Sequence, residues 1–294
     1  MPSTPIYDAT LALLPASLRA APLALYSWQP GATPLSTATG AAATIAAWLA
    51  LIFGGREAMR SRDAFSKSLK WPFFVHNVLL SAGSGLLLAL MLEEILPIWR
   101  RNGFFYAICG EGAWTSHLET FYIINYYFKY YELVDTVFLV LKKKPLAFLH
   151  VYHHSATALL CFSQLHGKTS VSWVVICLNL FVHLIMYAYY ALTAIKVRCP
   201  WKRIVTTTQI IQFVLDLGVV FFASFTHFAY KRFGKTRFTC GDCAGKEYAA
   251  IAGCAVLSSY LFLFIAFYQR TYSKAKAQKS AAAKREKQAS LKAQ

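Results

Sequence analysis

The sequence predicts an all-α integral membrane protein, and three observations lead to that fold class. Hydrophobic residues make up 57% of the chain and charged residues only 15%, whereas a soluble globular domain carries about 25% charged residues. The apolar residues collect in runs of about 20, the length that a helix needs to cross a bilayer. The 30 basic residues cluster between those runs. This pattern excludes an ordinary cytosolic enzyme and a nucleic-acid binder.

Seven apolar runs are predicted to form transmembrane helices within a membrane domain at 38–270. The segment before it, 1–37, begins without a basic region, so we interpret it as a lumenal or interfacial stretch and not as a cleaved signal peptide. The lysine-rich stretch 271–294 lacks apolar periodicity and is predicted to be a disordered tail. The predicted spans are 38–55, 73–93, 118–141, 146–166, 170–195, 204–228 and 248–269.

The distribution of lysine and arginine predicts the orientation of these spans. Twenty of the 30 basic residues lie in the first, third and fifth loops and in the tail, whereas nine lie on the other side and Lys129 lies within a span. Because basic residues concentrate on the cytosolic side, the C terminus is expected in the cytosol and the N terminus in the lumen. Five basic residues in the loop 229–247 oppose this orientation without reversing it.

The seven cysteines do not indicate a disulfide framework. Cys109, Cys240 and Cys243 lie in two polar loops that the topology places together in the lumen, where disulfides can form. One bridge among these three is expected, and the sequence leaves the pairing open. The single C-x-x-C at 240–243 is weak evidence for a metal site.

Three charged residues lie within the third predicted span. Lys129, Glu132 and Asp135 are spaced i, i+3, i+6, which places them within about 60° of a common helix face. Charges within a membrane are costly and usually mark a functional site. The alternative is an internal ion pair that only joins helices.

The fourth predicted span begins with a cluster of histidines. His150, His153 and His154 are spaced i, i+3, i+4 and therefore lie on neighbouring positions of one helix face. Three imidazoles in an apolar span are unusual for core packing. They indicate either metal ligation or acid–base and nucleophilic catalysis.

Polar stripes also mark the fifth and sixth predicted spans. Either stripe alone could serve only to join helices through hydrogen bonds. Four successive spans with such stripes predict one common polar cavity inside the bundle. The two stripes consist of Asn179, His183, Tyr187 and Tyr190, and of Thr206, Gln209, Gln212 and Asp216.

A metal-dependent membrane oxidase is excluded by the number of histidines. A di-iron fatty acid desaturase also carries H-x-x-H-H, but it takes its histidine ligands from several boxes. Here only His183 can join the cluster, because the remaining histidines stand alone in the sequence. We therefore expect no metal and no other cofactor. The isolated histidines are His76, His117, His166 and His227.

The motifs together resemble those of the very-long-chain fatty acid elongases, the 3-oxoacyl-CoA synthases that act as condensing enzymes in the endoplasmic reticulum. The run KYYELVDTVFLVLKKKPLAFLHVYHHSATALL at 129–160 matches the family's K-x-x-E-x-x-D-T and H-x-x-H-H motifs. The runs NLFVHLIMYAYY at 179–190 and TTTQIIQF at 206–213 match two further motifs. No motif position departs from the pattern, and the region around the histidines most resembles fungal members.

The resemblance implies a seven-helix fold in which six helices form a barrel around an acyl-chain tunnel that opens toward the cytosol. The implied reaction condenses a long-chain acyl-CoA with malonyl-CoA to give a 3-oxoacyl-CoA, carbon dioxide and CoA. Pro145 stands where elongases of polyunsaturated chains often have glutamine, which favours saturated or monounsaturated substrates. The resemblance also implies residence in the endoplasmic reticulum membrane, a homodimer, and contact with the ketoreductase, dehydratase and enoyl reductase of the cycle.

Roles for the polar residues follow from the same resemblance. His153 is implied to attack the acyl-CoA thioester and to carry the acyl group, with direct condensation in a ternary complex as the alternative. His150, His154 and His183 are implied to transfer protons and stabilise oxyanions. The residues implied to bind substrate or orient the imidazoles are Lys129, Glu132, Asp135, Asn179, Tyr187, Gln209 and Gln212.

A seven-span receptor or transporter is the alternative from another functional class. Its polar cavity would be a ligand or proton path. The histidine cluster lies in the cytosolic half of the predicted bundle, where the ligand site of a receptor is not expected. This position favours the enzyme.

Overall fold

The structure is a computed structural model that describes residues 4–19, 25–236 and 241–273. The described residues form helices and no strands. The predicted tail lies outside the described residues from 274 onward. The α-helices are α1 (Pro5–Leu13), α2 (Ala16–Arg19), α3 (Ala38–Ala58), α4 (Lys70–Cys109), α5 (Ser116–Glu132), α6 (Val134–Leu141), α7 (Phe148–Gly167), α8 (Ser172–Ala194), α9 (Lys202–Phe233) and α10 (Glu247–Tyr268).

Five of these helices, α3, α4, α8, α9 and α10, are long and apolar enough to cross a membrane. The chain is therefore an all-α membrane protein, but the count of seven spans is not confirmed. The predicted third span is divided at Leu133 into α5 and α6, and it carries the charged residues. The predicted fourth span, α7, carries the histidines. The division leaves α5 with 17 and α6 with 8 residues, so neither is long enough to span a membrane by itself.

Helix α4 extends well beyond the predicted run 73–93. It ends at Cys109 and is interrupted at Gly103, whose φ of 83° and ψ of 165° are not helical. Glycine adopts a positive φ readily because it lacks a Cβ. The chain can therefore turn at this position before it reaches Cys109.

Six helices pack against one another in a closed ring. Helix α4 contacts α5 and α8, α7 contacts α5 and α10, and α9 contacts α8 and α10. Tyr126, Met91 and Leu180 are among the fully buried side chains of the ring's core. Helix α3 lies beside the ring and packs on α6 and α7, where Trp48 and Ile52 form part of a smaller core.

One end of the ring, here called the disulfide end, is closed by the loop before α10. Cys109 and Cys243 form a disulfide there. Ala244 N donates to Cys109 O at 2.8 Å, and Ser170 N donates to Ala244 O at 3.2 Å. The expected bridge is therefore present, whereas Cys240 lies outside the described residues.

The described part of the N-terminal segment packs on the helices near the same end. Ile6 N donates to a carboxylate oxygen of Glu93 at 2.8 Å. Trp28 N donates to Glu119 Oε1 at 2.6 Å, and the Trp28 indole donates to His166 Nδ1 at 3.1 Å. These contacts tie the segment to α4, α5 and α7.

Candidate active site

A buried ion pair within α5 is linked to α8 by a hydrogen bond to Asn179. Lys129 Nζ donates to Glu132 Oε1 at 2.9 Å and to Asn179 Oδ1 at 2.8 Å. Lys129 is 2% exposed and Glu132 is 4% exposed. Because a buried charge is tolerated only when it is paired, these contacts explain how the two charges fit inside an apolar bundle.

His183 of α8 completes this cluster. Its Nδ1 lies 3.1 Å from Glu132 Oε1, and its Nε2 lies 3.2 Å from Asn179 Nδ2. Since Asn179 Oδ1 accepts from Lys129, Asn179 Nδ2 is the donor toward His183. This donor assigns the proton of a neutral His183 to Nδ1, which lies close to Glu132 Oε1 without forming a directed hydrogen bond among the described residues.

Asp135, in the first turn of α6, has a partner for each carboxylate oxygen. Tyr187 donates its hydroxyl to Oδ2 at 2.8 Å, and His76 Nε2 lies 2.8 Å from Oδ1. Sequence reasoning missed His76, which it treated as an isolated histidine. The available signal was an ionisable residue inside the second predicted span, where a polar partner is needed.

Two histidines of α7 turn toward α6 and toward each other. His150 Nε2 lies 3.0 Å from Thr136 Oγ1. The rings of His150 and His154 are 4.4 Å apart. His154 is 9% exposed, so this pair lies largely within the protein.

A cavity lies inside the ring between α5, α7, α8, α9 and α10, and His153 is the one candidate histidine that lines it. The His153 ring packs 4.7 Å from the Tyr260 ring. No group among the described residues hydrogen bonds to the buried Nδ1 of His153. The described part of the chain therefore leaves this nitrogen without a hydrogen bond to protein. Polar residues that line the same cavity include Asn125, Lys129, Thr157, Asn179 and Gln212.

The two predicted glutamines of α9 lie in different surroundings. Gln212 lines the cavity and donates to Asp216 Oδ2 at 3.0 Å. Gln209 is not among the lining residues, and its Nε2 lies 3.2 Å from the Met186 sulfur. The structure thus divides the predicted site residues into two sets. The cavity is lined by Lys129, His153, Asn179 and Gln212, whereas Glu132, Asp135, His150, His154, His183, Tyr187 and Gln209 are not among its lining residues.

The described residues contain no group of three or more histidine, cysteine, aspartate or glutamate side chains placed to hold a metal ion. One ring nitrogen of His150 lies at hydrogen-bond distance from Thr136, and one ring nitrogen of His183 lies at hydrogen-bond distance from Asn179. The expectation that the reaction needs no metal stays a prediction.

Comparisons with known proteins identify the family. The ELO family, described as the GNS1/SUR4 family, matches residues 33–280. The chain belongs to this family. "Putative fatty acid elongase 1" of Schizosaccharomyces pombe is 50% identical over 255 residues, which cover 87% of this chain and 75% of the relative. "Putative fatty acid elongase 2" of the same organism is 46% identical over 243 residues, covering 82% and 66%.

More distant relatives carry related names. "Very long chain fatty acid elongase 6" of Drosophila melanogaster is 31% identical over 234 residues, covering 76% of this chain and 68% of the relative. The family match includes all the motifs on which the resemblance rests. The predicted family is therefore confirmed, and the higher identity of the two fungal relatives agrees with the likeness to fungal members. The protein is a membrane protein of the fatty acid elongase family.

Proposed function

We propose that this protein is a very-long-chain 3-oxoacyl-CoA synthase that condenses a long-chain acyl-CoA with malonyl-CoA. The products are a 3-oxoacyl-CoA two carbons longer, carbon dioxide and CoA. Membership of the elongase family supports the reaction class. The observation that carries the finer proposal is that His153 lines a largely apolar cavity, while no group among the described residues hydrogen bonds to its buried Nδ1. An acyl chain in that cavity would bring its thioester to the imidazole.

In the first half-reaction, the imidazole of His153 attacks the carbonyl carbon of the acyl-CoA thioester. The carbon–sulfur bond breaks, and the imidazole proton passes to the sulfur of the departing CoA. The acyl group is then held on His153 as an acyl-imidazole. Asn179 and Gln212 line the same cavity, and we assign to their amides the orientation of the carbonyl oxygen.

In the second half-reaction, malonyl-CoA loses carbon dioxide. The electron pair of the broken carbon–carbon bond attacks the acyl carbon on His153, and the carbon–nitrogen bond breaks. His153 then regains a proton, which is drawn from bulk water. We assign that proton transfer to His150, His154 and His183. The position of Glu132 supports the assignment, because its Oε1 lies 3.1 Å from His183 Nδ1. No metal or other cofactor takes part in these steps.

The proposed setting is the endoplasmic reticulum membrane, with seven spans across 38–270, a lumenal segment 1–37 and a cytosolic tail 271–294. Helices α5 and α6 together form one of the two spans that length and hydropathy alone do not identify, and α7 forms the other. In this orientation the disulfide end faces the lumen. The lipid bilayer surrounds the bundle, and a homodimer and the ketoreductase, dehydratase and enoyl reductase of the cycle are the proposed protein partners.

The covalent intermediate is tested with acyl-CoA alone. Purified protein should release CoA in an amount near one per active enzyme, and its intact mass should increase by the acyl group and decrease again when malonyl-CoA is added. His153→Ala should abolish this release. His166→Ala is the matched control. His166 lies on the same helix but does not line the cavity, and its Nδ1 accepts a hydrogen bond from the Trp28 indole.

Two outcomes would contradict different parts of the proposal. Elongation without any CoA release from acyl-CoA alone would exclude the acyl-imidazole and favour a ternary complex in which His153 acts as a base. A folded protein that incorporates no radiolabelled malonyl-CoA would contradict the elongase function itself and favour the receptor or transporter alternative.

A further inference from the structure

Helices α5 and α7 run antiparallel beside the cavity, and two contacts set their register. Asn125 Nδ2 lies 3.7 Å from Cys161 Sγ. Nearer the disulfide end, Lys168 Nζ donates to Glu119 Oε2 at 3.5 Å. Residues later in α7 thus meet residues earlier in α5. Asn125 is therefore level with Cys161, which lies eight residues beyond His153 and lines the same cavity.

One face of α5 contributes three polar residues to the cavity lining. Tyr122, Asn125 and Lys129 are spaced i, i+3, i+7 and all line the cavity, as expected for residues on one side of a helix. Lys129 is paired with Glu132. Tyr122 and Asn125 lie on the part of α5 toward the disulfide end, away from this ion pair. Apolar residues that line the cavity include Leu160, Leu165, Val175 and Ile176.

Tyr122 and Asn125 carry buried polar groups that lack a hydrogen bond. Neither the Tyr122 hydroxyl nor Asn125 Oδ1 has a partner among the described residues, and the two residues are 3% and 2% exposed. The Asn125 amide nitrogen contacts only the Cys161 sulfur in this part of the chain, and a thiol is a weak acceptor. Burial of a polar group without a partner is costly, and a plain hydrocarbon chain supplies none.

A hydroxyl group on a ligand matches both residues. It can donate to the amide oxygen of Asn125 and accept from the hydroxyl of Tyr122. It is also small enough to be carried by an acyl chain in a narrow cavity. A charged group would fit poorly, because the neighbouring lining is apolar and offers no opposite charge at this level.

We propose that Tyr122 and Asn125 form a subsite for a hydroxyl group on the acyl chain. This inference rests on the proposed function and on His153 as the reacting group. The rise from His153 to the level of Cys161 is about 12 Å, and an extended hydrocarbon chain advances roughly 1.25 Å per carbon. Asn125 is therefore reached near about carbon 11, and Tyr122, one turn farther along, near about carbon 14. The substrate class is straight-chain acyl-CoA with a hydroxyl in this range.

The test compares two substrates of equal chain length, a saturated acyl-CoA and the same acyl-CoA with a hydroxyl at about carbon 12. The measured quantity is the ratio of kcat/KM for the hydroxylated chain to kcat/KM for the plain chain. The variants are Asn125→Leu, which keeps the side-chain size, and Tyr122→Phe, which removes one oxygen. Ser224→Ala is the matched control, because Ser224 lines the same cavity and its Oγ lies 3.5 Å from Cys254 Sγ.

In the wild type this ratio should be near one or higher, because the hydroxyl exchanges its bonds to water for bonds to the subsite. Asn125→Leu should lower the ratio by about tenfold, since a hydroxyl buried without a partner is disfavoured. Tyr122→Phe should lower it several-fold, and Ser224→Ala should leave it unchanged. If Asn125→Leu does not fold, as judged by size-exclusion chromatography in detergent, Tyr122→Phe decides.

Two results would overturn the subsite. One is a wild type that elongates the plain chain but disfavours the hydroxylated chain by about tenfold or more, as an unpaired hydroxyl would be. The other is the same ratio in the wild type and in every folded variant. Absence of elongation of both chains by the folded wild type would instead contradict the proposed function.

Discussion

Glu132 is the residue on which the buried charges of the site depend. It accepts a hydrogen bond from Lys129 and lies within 3.1 Å of His183. Such a pair adds little net stability compared with apolar residues, but the loss of one partner leaves an uncompensated charge in a low-dielectric interior. Glu132 is therefore expected to serve both the fold and the chemistry.

Replacement of Glu132 by alanine should lower the free energy of unfolding by about 3–5 kcal/mol. The buried Lys129 ammonium group would lose its negatively charged partner and keep the neutral amide oxygen of Asn179. The measurement is thermal unfolding in detergent, together with the yield of folded protein. Glu132→Gln, which keeps the volume and one acceptor but not the charge, should lose less. An alanine variant with normal thermal stability and no activity would show that Glu132 acts in catalysis alone.

At the scale of elements, α7 and α10 approach each other closely where α7 ends. Lys246 N donates to the carbonyl oxygen of Gly167 at 2.8 Å. A Cβ added at Gly167 would overlap the Cβ of Ala249. Glycine at this position therefore allows the two helices to meet near the disulfide end of the ring.

Two glycine-to-alanine substitutions should have opposite effects on stability. Gly167→Ala should lower the free energy of unfolding by about 1–3 kcal/mol, since the α10 backbone must move to accept the extra carbon. Gly218→Ala should raise it by about 0.5–1 kcal/mol, since that position is open and alanine favours the helix. Denaturation of both variants in the same detergent gives the comparison. A gain in both would contradict the close approach at Gly167.

At the scale of the whole molecule, the disulfide joins two points 134 residues apart in the sequence. It holds the end of α4 against the loop before α10, and the same loop packs on the start of α8. The bridge thus fixes the end of the bundle at which the cavity closes. Loss of the disulfide should therefore lower the stability of the fold without removing any side chain from the part of the cavity around His153.

Cys109→Ser should lower the free energy of unfolding by about 2–5 kcal/mol, because the unfolded chain is then no longer restricted by the bridge. Thermal unfolding with and without a reducing agent measures this effect. Cys199→Ser is the matched control, because Cys199 is a free, half-buried cysteine. Equal stability of the Cys109 variant and the wild type under non-reducing conditions would contradict a structural role for the bridge.

Some features of the protein follow from short stretches of sequence. The predicted run 170–195 agrees with α8, and the run 248–269 agrees with α10, because each is an apolar segment that ends at polar residues. Hydropathy did not reveal the full length of α4, which continues through Arg100 and Arg101, because a backbone can satisfy its hydrogen bonds in a helix whatever the polarity of its side chains. It also missed the division of the third predicted span at Leu133.

Composition, hydropathy and motif spacing are enough to predict the membrane class, the family and the residue types of the site, because they are properties of consecutive residues. Which of those residues meet depends on how the helices pack. His76 and Asp135 are 59 positions apart, and no local pattern connects them. His150, His153 and His154 occupy neighbouring directions around α7, about 40–100° apart. Which of them faces the cavity depends on the rotation of α7 against α5 and α10, and packing between helices sets that rotation.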